Sequence, residues 1–291
     1  MTKIPMARTI ERAYGFTFGH FLSVIGLAWL PLLIMGIGAY FLVPPYLAAI
    51  QNGLINGDPS GIVGSYGYVF LLMLIVIACF NMVYVAIARQ VLGLRTGPAW
   101  FYFSLDGAFW RLLGAYLLML LLIIGAMIVG AAIAGIMSVA AGAAIGGLSF
   151  VLVVLLFFYL MLRLMFFMVP VSVAEGRRVL RRSWTLSSGN FWRIFVVLLA
   201  FMVPFFIVEV ILETVLFVSV AAGSPPPQSS DPTQMMAYLM GLGTRIYALW
   251  PIVGPVVLVL YALIISLMVS AASFAYRALV PATEGIAEEF A

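Results

Sequence analysis

Glu209 and Glu213 stand four residues apart in PFFIVEVILETVLFVSV, five and nine residues beyond Pro204. At helical spacing the two carboxylates share one face. If hydrocarbon begins near Ile194, a rise of about 1.5 Å per residue puts Glu209 roughly 23 Å in and Glu213 at about the outer boundary. A carboxylate at such depth costs a few kcal/mol or more unless it is paired, protonated or wetted, which points to a proton or cation site, or to a substrate contact. The structural alternative is a partnership in which Arg245 pairs with Glu213, and Glu209 is protonated or hydrogen-bonded to Asn81, Ser266 or another polar group. Both readings stand on the sequence.

Other chemistry has little material. There is one histidine, His20, and one cysteine, Cys79, so a Cys/His dyad or a multi-histidine metal site has almost no material within one chain. Cys79 reads as a small buried hydrophobe, and His20 as an interfacial residue whose intrinsic pKa alone recommends a pH-sensing role. The glycines of AAGAAIGG, residues 140–147, lack the lysine of a phosphate loop and read as a tight external turn. Met235, Met236 and Met240 are spaced like a copper-binding tract, but no histidine lies near them and the chain holds 16 methionines. Neither a metal nor a cofactor is expected, and an intramembrane hydrolase lacks both base and nucleophile. The expectation is a protein that is not an enzyme.

The elements that must position these residues follow from composition. Of 291 residues, 65% are hydrophobic and 8% charged, with a mean hydropathy of +1.21; soluble domains carry about 25% charged residues. Each crossing needs about 20 apolar residues, and six runs qualify: 21–43, 66–88, 112–140, 148–169, 194–220 and 247–276. Pro31, Pro204, Gly254 and Pro255 lie inside these runs as candidate kinks, because neighbouring helices can satisfy the freed backbone groups. The first run is too long for the core of a signal peptide, so Met1 is expected to be retained. The expected fold is an all-α, polytopic membrane helix bundle of six transmembrane helices.

Charge supplies the orientation. Lys3, Arg8 and Arg12 precede the first run; Arg89, Arg95 and Arg111 surround the second connection; Arg177, Arg178, Arg181, Arg182 and Arg193 fill the fourth; Arg277 follows the sixth. The other three connections hold one basic residue, Arg245. Every second loop is basic, which predicts that both termini are cytoplasmic. Arg163, near the cytoplasmic end of the fourth run, is expected to snorkel. Arginine outnumbers lysine thirteen to one, a bias of GC-rich bacterial coding, and the expected location is a bacterial inner membrane.

The stretch EGRRVLRRSWTLSSGNFWRIF, residues 175–195, has a geometry of its own. With Arg177 at zero and about 100° per residue, Arg178, Arg181 and Arg182 fall near 100°, 40° and 140°, while Val179, Leu180, Ser183 and Trp184 fall near 200°, 300°, 240° and 340°. This predicts a short amphipathic helix in the membrane plane, with Trp184 and Trp192 at the interface and Asn190 or Ser188 capping the next helix. The functional reading of Arg177, Arg178, Arg181, Arg182 and Arg193 is recognition of anionic lipid headgroups or a regulatory partner, and the plain one is topology and anchoring. Nucleic acid is not expected, because the charge is thin and hugs the bilayer. A membrane-protein partner or a homo-oligomer stays open.

Phe109-Trp110-Arg111 and Phe191-Trp192-Arg193 each lie two residues after a glycine and just before a run; Gly19-His20-Phe21 falls at the equivalent place, and VPVSVAEG (169–176) rhymes with VPATEG (280–285). A single membrane domain of three parallel repeats, 1–94, 95–174 and 175–291, is expected. Each would be an interfacial amphipathic segment followed by a two-span hairpin.

The string VPVSVAEGRRVLRRSWTLSSGNFWRIFVVLL resembles the signature of the membrane domain at the amino end of some bacterial glycerophosphodiester phosphodiesterases and of stand-alone six-span bacterial proteins. In that family a V-P-x-x-x-x-E-G element precedes an A-L-x-R-S-W-x-L-x-x-G-N-F-W-R run. Pro170, Glu175, Gly176, Leu180, Arg182, Ser183, Trp184, Leu186, Gly189, Phe191 and Trp192 match, and Val179 stands where the family often has alanine. In fused relatives the hydrolytic chemistry belongs to a soluble barrel, which the 15 residues after the last run do not accommodate. The resemblance therefore implies a role in lipid metabolism or membrane organisation and transfers no catalytic residue. The competing class is a small proton- or cation-coupled transporter or channel using Glu209 and Glu213.

Overall fold

The computed structural model describes residues 3–55, 59–95, 100, 102–103, 105–176, 178–222 and 232–280. These residues form ten helices and no strand. Six of them, one extended by a short companion, are long and apolar enough to cross a membrane: α2 (Phe21–Ile55), α3 (Pro59–Leu92), α4 (Gly107–Ala141), α5 (Ala143–Met165), α8 (Phe191–Ala221) and α10 (Trp250–Leu279). The other four are α1 (Met6–Gly19), α6 (Met168–Ala174), α7 (Val179–Ser187) and α9 (Pro232–Ala248).

The runs read from hydropathy all lie in these helices, and the helices pass through Pro31, Pro44, Pro45, Pro204 and Pro255. One proline does interrupt. The fourth run turns at Phe166 and Phe167 and resumes as α6; Pro170 has no N–H to give the Phe166 carbonyl, which removes one rung of the α-helical ladder at this break. Gly142, at φ +92°, makes the whole connection between α4 and α5, a conformation in which a side chain would be strained.

Packing is uneven along the bundle. α2 lies along α3 and α4 along α5, while α10 touches α1, α2, α3, α6 and α8. The core gathers around the ends that carry α1, α6 and α7: most of Val83–Ala88, Phe166–Ala174, the inward face Ile194, Val197, Leu198 and Phe201, and much of Ile264–Tyr276 are buried there. Toward the other end the α4–α5 pair and α8 are sparsely covered by the rest of the bundle. Their most apolar windows are only 11%, 17% and 17% buried, against 33–39% for α2, α3 and α10. This is the packing expected of lipid-exposed helices, since lipid tails are as apolar as leucine and close contact must come from small residues, hydrogen bonds and shape.

α1 is the amphipathic segment expected before the first span. Its Thr9, Ala13 and Thr17 are buried while Arg8, Glu11 and Arg12 face outward. The Thr17 hydroxyl lies 2.8 Å from that of Ser266 on α10, and Tyr14 donates to the Ala200 carbonyl at 2.9 Å. The corresponding segment of the second repeat differs from expectation, because the described residues between 93 and 106 are not helical. Asp106 instead caps α4, accepting the Phe109 N–H at 3.2 Å while pairing with Arg89.

Candidate functional site

The arginine-rich stretch is the first place where side chains depart from the sequence pattern. α7 begins at Val179, and Arg178 precedes it with φ +51°, so the helical wheel does not extend back to it; Arg177 lies outside the described residues. Arg178 and Arg181 are exposed. Arg182 turns inward: its Nε donates to Glu175 Oε1 at 2.9 Å, and the Tyr276 hydroxyl donates to the same oxygen at 2.8 Å. Arg193 donates to the Ile4 carbonyl at 2.7 Å. Of the four described arginines of this set, Arg182 and Arg193 are engaged at joints between helices and Arg178 and Arg181 are exposed.

Asn190 precedes α8 as expected but does not cap it. Its Oδ1 accepts the Ile4 N–H at 3.0 Å, tying the start of the chain to the start of α8. Gly189, at φ +73°, supplies the left-handed turn that the approach requires. The two FWR strings share local geometry: Trp110 and Trp192 are both exposed, each ring set edge-on to the preceding phenylalanine at 5.2 Å. Arg111 and Arg193 both donate to a backbone carbonyl, those of Ser172 and Ile4.

Arg163 does not snorkel. It is 8% exposed, and its guanidinium donates to Ser187 Oγ at 3.3 Å, the Tyr159 hydroxyl at 2.9 Å and the Trp184 carbonyl at 3.1 Å. It also lies 3.6 Å from the centre of the Trp184 ring. α7 is close enough to receive the head group, and three neutral acceptors with an indole face replace water. Ser183 completes the joint by donating to the Leu164 carbonyl at 2.6 Å. Much of the string that carried the family resemblance thus builds a junction between α5, α6, α7 and α10.

Glu209 is half-buried and Glu213 exposed on α8. The partnerships expected for them are absent among the described residues. Arg245 is exposed on α9 and, among the described residues, pairs with neither carboxylate. Ser266 is committed to Thr17, and the Asn81 amide nitrogen donates to the Ile77 carbonyl at 2.7 Å. The group both carboxylates do reach electrostatically is Tyr261 of α10. Met235 is exposed; the Met236 side chain, the 223–231 loop and the acidic carboxyl end lie outside the described residues.

Tyr261 leads to a site the sequence reading missed. Rings Phe205, Tyr261, Phe80, Tyr84 and Tyr116 follow one another at centroid spacings of 6.0, 6.1, 6.1 and 6.0 Å, from α8 through α10 and α3 to α4. Around Tyr84 and Tyr116 lie two cavities of about 220 and 280 Å³ that share these rings and Met165. Asn81 lines the first; it is 2% exposed and its Oδ1 has no hydrogen-bond partner among the described residues. Methionine lines much of the rest, with Met73, Met119, Met202 and Met268 contributing flexible, polarizable walls.

Together the cavities match a drug-sized or acyl-chain-sized molecule, being mostly apolar with a few placed polar groups. The two tyrosine hydroxyls can donate or accept and Asn81 can accept. The available signal was tyrosine and asparagine in mid-span, but only the crossing of five helices puts those residues on one wall. No protein-family model, curated protein or solved structure matches this chain.

Proposed function

We propose that this chain is a non-enzymatic, multi-pass protein of a bacterial inner membrane that binds a lipid-like amphiphile inside the bilayer, in the cavities between α3, α4, α5, α8 and α10. The observation that carries the reading is the shared Tyr84–Tyr116 wall with the unpartnered Asn81 acceptor beside it. A buried acceptor without a partner costs about 1–3 kcal/mol, and a ligand hydroxyl would satisfy it while its hydrocarbon fills the methionine-lined space. The alternation of basic loops supports cytoplasmic termini and three two-span hairpins. The resemblance of residues 169–199 to the phosphodiesterase membrane domains supports a lipid-related role without catalysis.

The test is to purify the chain from membranes, extract bound molecules, and identify them by mass spectrometry for the wild type and for Tyr116→Trp, which fills the shared wall. A co-purifying amphiphile lost from Tyr116→Trp at unchanged stability is the expected result. Equal retention in both would remove the cavities from the function.

A second reading has its own observation: Glu209 follows Phe205 by one turn of α8, at the end of the aromatic series that leads through Tyr261 to the cavities. It assigns Glu209 and Glu213 to proton- or cation-coupled transport. Flux in proteoliposomes under an imposed pH gradient, abolished by Glu209→Gln in a folded protein, would favour transport over static binding.

A further inference from the structure

Most arginines near the crowded end of the bundle are engaged, by Asp106, Ser172, Glu175, the Tyr159–Trp184–Ser187 cage or Ile4. A separate basic groove of about 660 Å³ is not consumed in this way. Arg12 and His20 border it from α1 and its end, and Arg277 from α10, over Phe16 and Phe274. Arg12 has no hydrogen bond or ion pair among the described residues. Arg277 is braced by one contact, from Nη1 to the Val91 carbonyl at 3.4 Å, which leaves the rest of its fork open. The His20 ring stacks on Phe16 at 5.2 Å, with Nδ1 3.2 Å from the Phe16 carbonyl. Phe16 in turn meets Phe274 edge-on at 6.4 Å. Among the described residues no carboxylate borders the groove.

Position and composition identify the occupant. His20 immediately precedes the first residue of the α2 span, and Arg277 lies in the last turn of the α10 span, so the groove sits at the depth of lipid phosphates. Two guanidinium groups above two phenyl rings provide charge for a phosphodiester and an apolar seat for the glycerol and upper acyl segments. We propose that this groove is a binding site for the headgroup of an anionic phospholipid, distinct from α7 and from the internal cavities. Arg12 and Arg277 hold the phosphate, and the His20 ring, stacked on Phe16, borders it.

The test titrates phosphatidylglycerol into the detergent-solubilised full chain and counts bound lipid by native mass spectrometry, with phosphatidylcholine as the neutral control. A juxtamembrane arginine contributes about fivefold to binding of an anionic lipid, so Arg12→Gln should lower affinity about fivefold and Arg12→Gln/Arg277→Gln about 25-fold. Arg12→Lys/Arg277→Lys should stay within about threefold of wild type, and Arg178→Gln/Arg181→Gln should change little. Arg12 is exposed and unpartnered, so its single substitution tests the site even if the Arg277 variant is unstable. Undiminished binding in folded Arg12→Gln, or loss only in the α7 variant, would overturn the assignment. So would competition by glycerol phosphate as effective as the lipid, which would mean a free-anion site. Binding that emerges only after Glu284, Glu288 and Glu289 are all replaced by Gln would give the groove to the chain's own acidic end.

Discussion

Replacing Arg163 tests whether the basic stretch acts through structure. In Arg163→Ala three hydrogen bonds from a charged donor disappear, and bonds to charged groups contribute about 1.5–3 kcal/mol each in favourable cases. The contact with the Trp184 ring, about 2 kcal/mol when desolvated, is lost as well. Against these stands the cost of holding a charge at 8% exposure with no carboxylate beside it, several kcal/mol that the alanine variant recovers. The difference is a net loss of about 2–4 kcal/mol. Arg163→Lys keeps the charge but cannot reach three divergent acceptors and stack on an indole together, so it should lose about 1–3 kcal/mol. The assay is reversible denaturant unfolding in mixed micelles, with hydrogen exchange read at residues 179–187. α7 should exchange faster in both variants, because its Trp184 carbonyl and ring have lost the group that holds them. A snorkelling arginine would behave otherwise: a change below about 0.5 kcal/mol with unaltered exchange in α7 would refute the cage.

Three further experiments follow from the packing. Gly146→Ala would place a methyl 2.6 Å from Ser138 Cβ and 2.9 Å from the Ala134 carbonyl oxygen, forcing α4 from α5; a loss of about 1–3 kcal/mol is expected in unfolding titrations. A double-mutant cycle between Glu175→Gln and Tyr276→Phe should give a coupling of about 0.5–2 kcal/mol, reflecting the shared oxygen at 2.8 Å, and additivity would deny the junction. Asn81→Leu should raise the stability of ligand-free protein by about 1–2 kcal/mol by removing an unsatisfied acceptor, while reducing retention of a co-purified amphiphile. A fall in both would show that Asn81 serves the fold.

The spans and the scarcity of catalytic material were legible in the sequence because both are one-dimensional. A membrane-spanning helix needs some twenty apolar residues wherever it packs, and one histidine and one cysteine leave no material for a multi-histidine or multi-cysteine metal site within the chain. The break near Pro170 was less legible. The sequence reading accepted prolines at Pro31 and Pro204, where the helices do continue, and nothing local distinguishes them from the site where α5 stops and α6 begins.

The directions of charged side chains belonged to tertiary structure alone. Periodicity placed the four arginines of residues 177–182 on one arc, but a long side chain can leave its arc when a partner lies on another helix. Glu175 and Tyr276 draw Arg182 inward, and the Trp184 ring and carbonyl receive Arg163. The cavities were hidden for a related reason. Asn81, Tyr84, Tyr116 and Met268 come from three helices separated by as many as 187 positions in the chain, so no window of sequence contains the wall they form. Hydropathy determined how often the chain crosses the membrane; only the crossing of the helices decided which of its few polar groups meet.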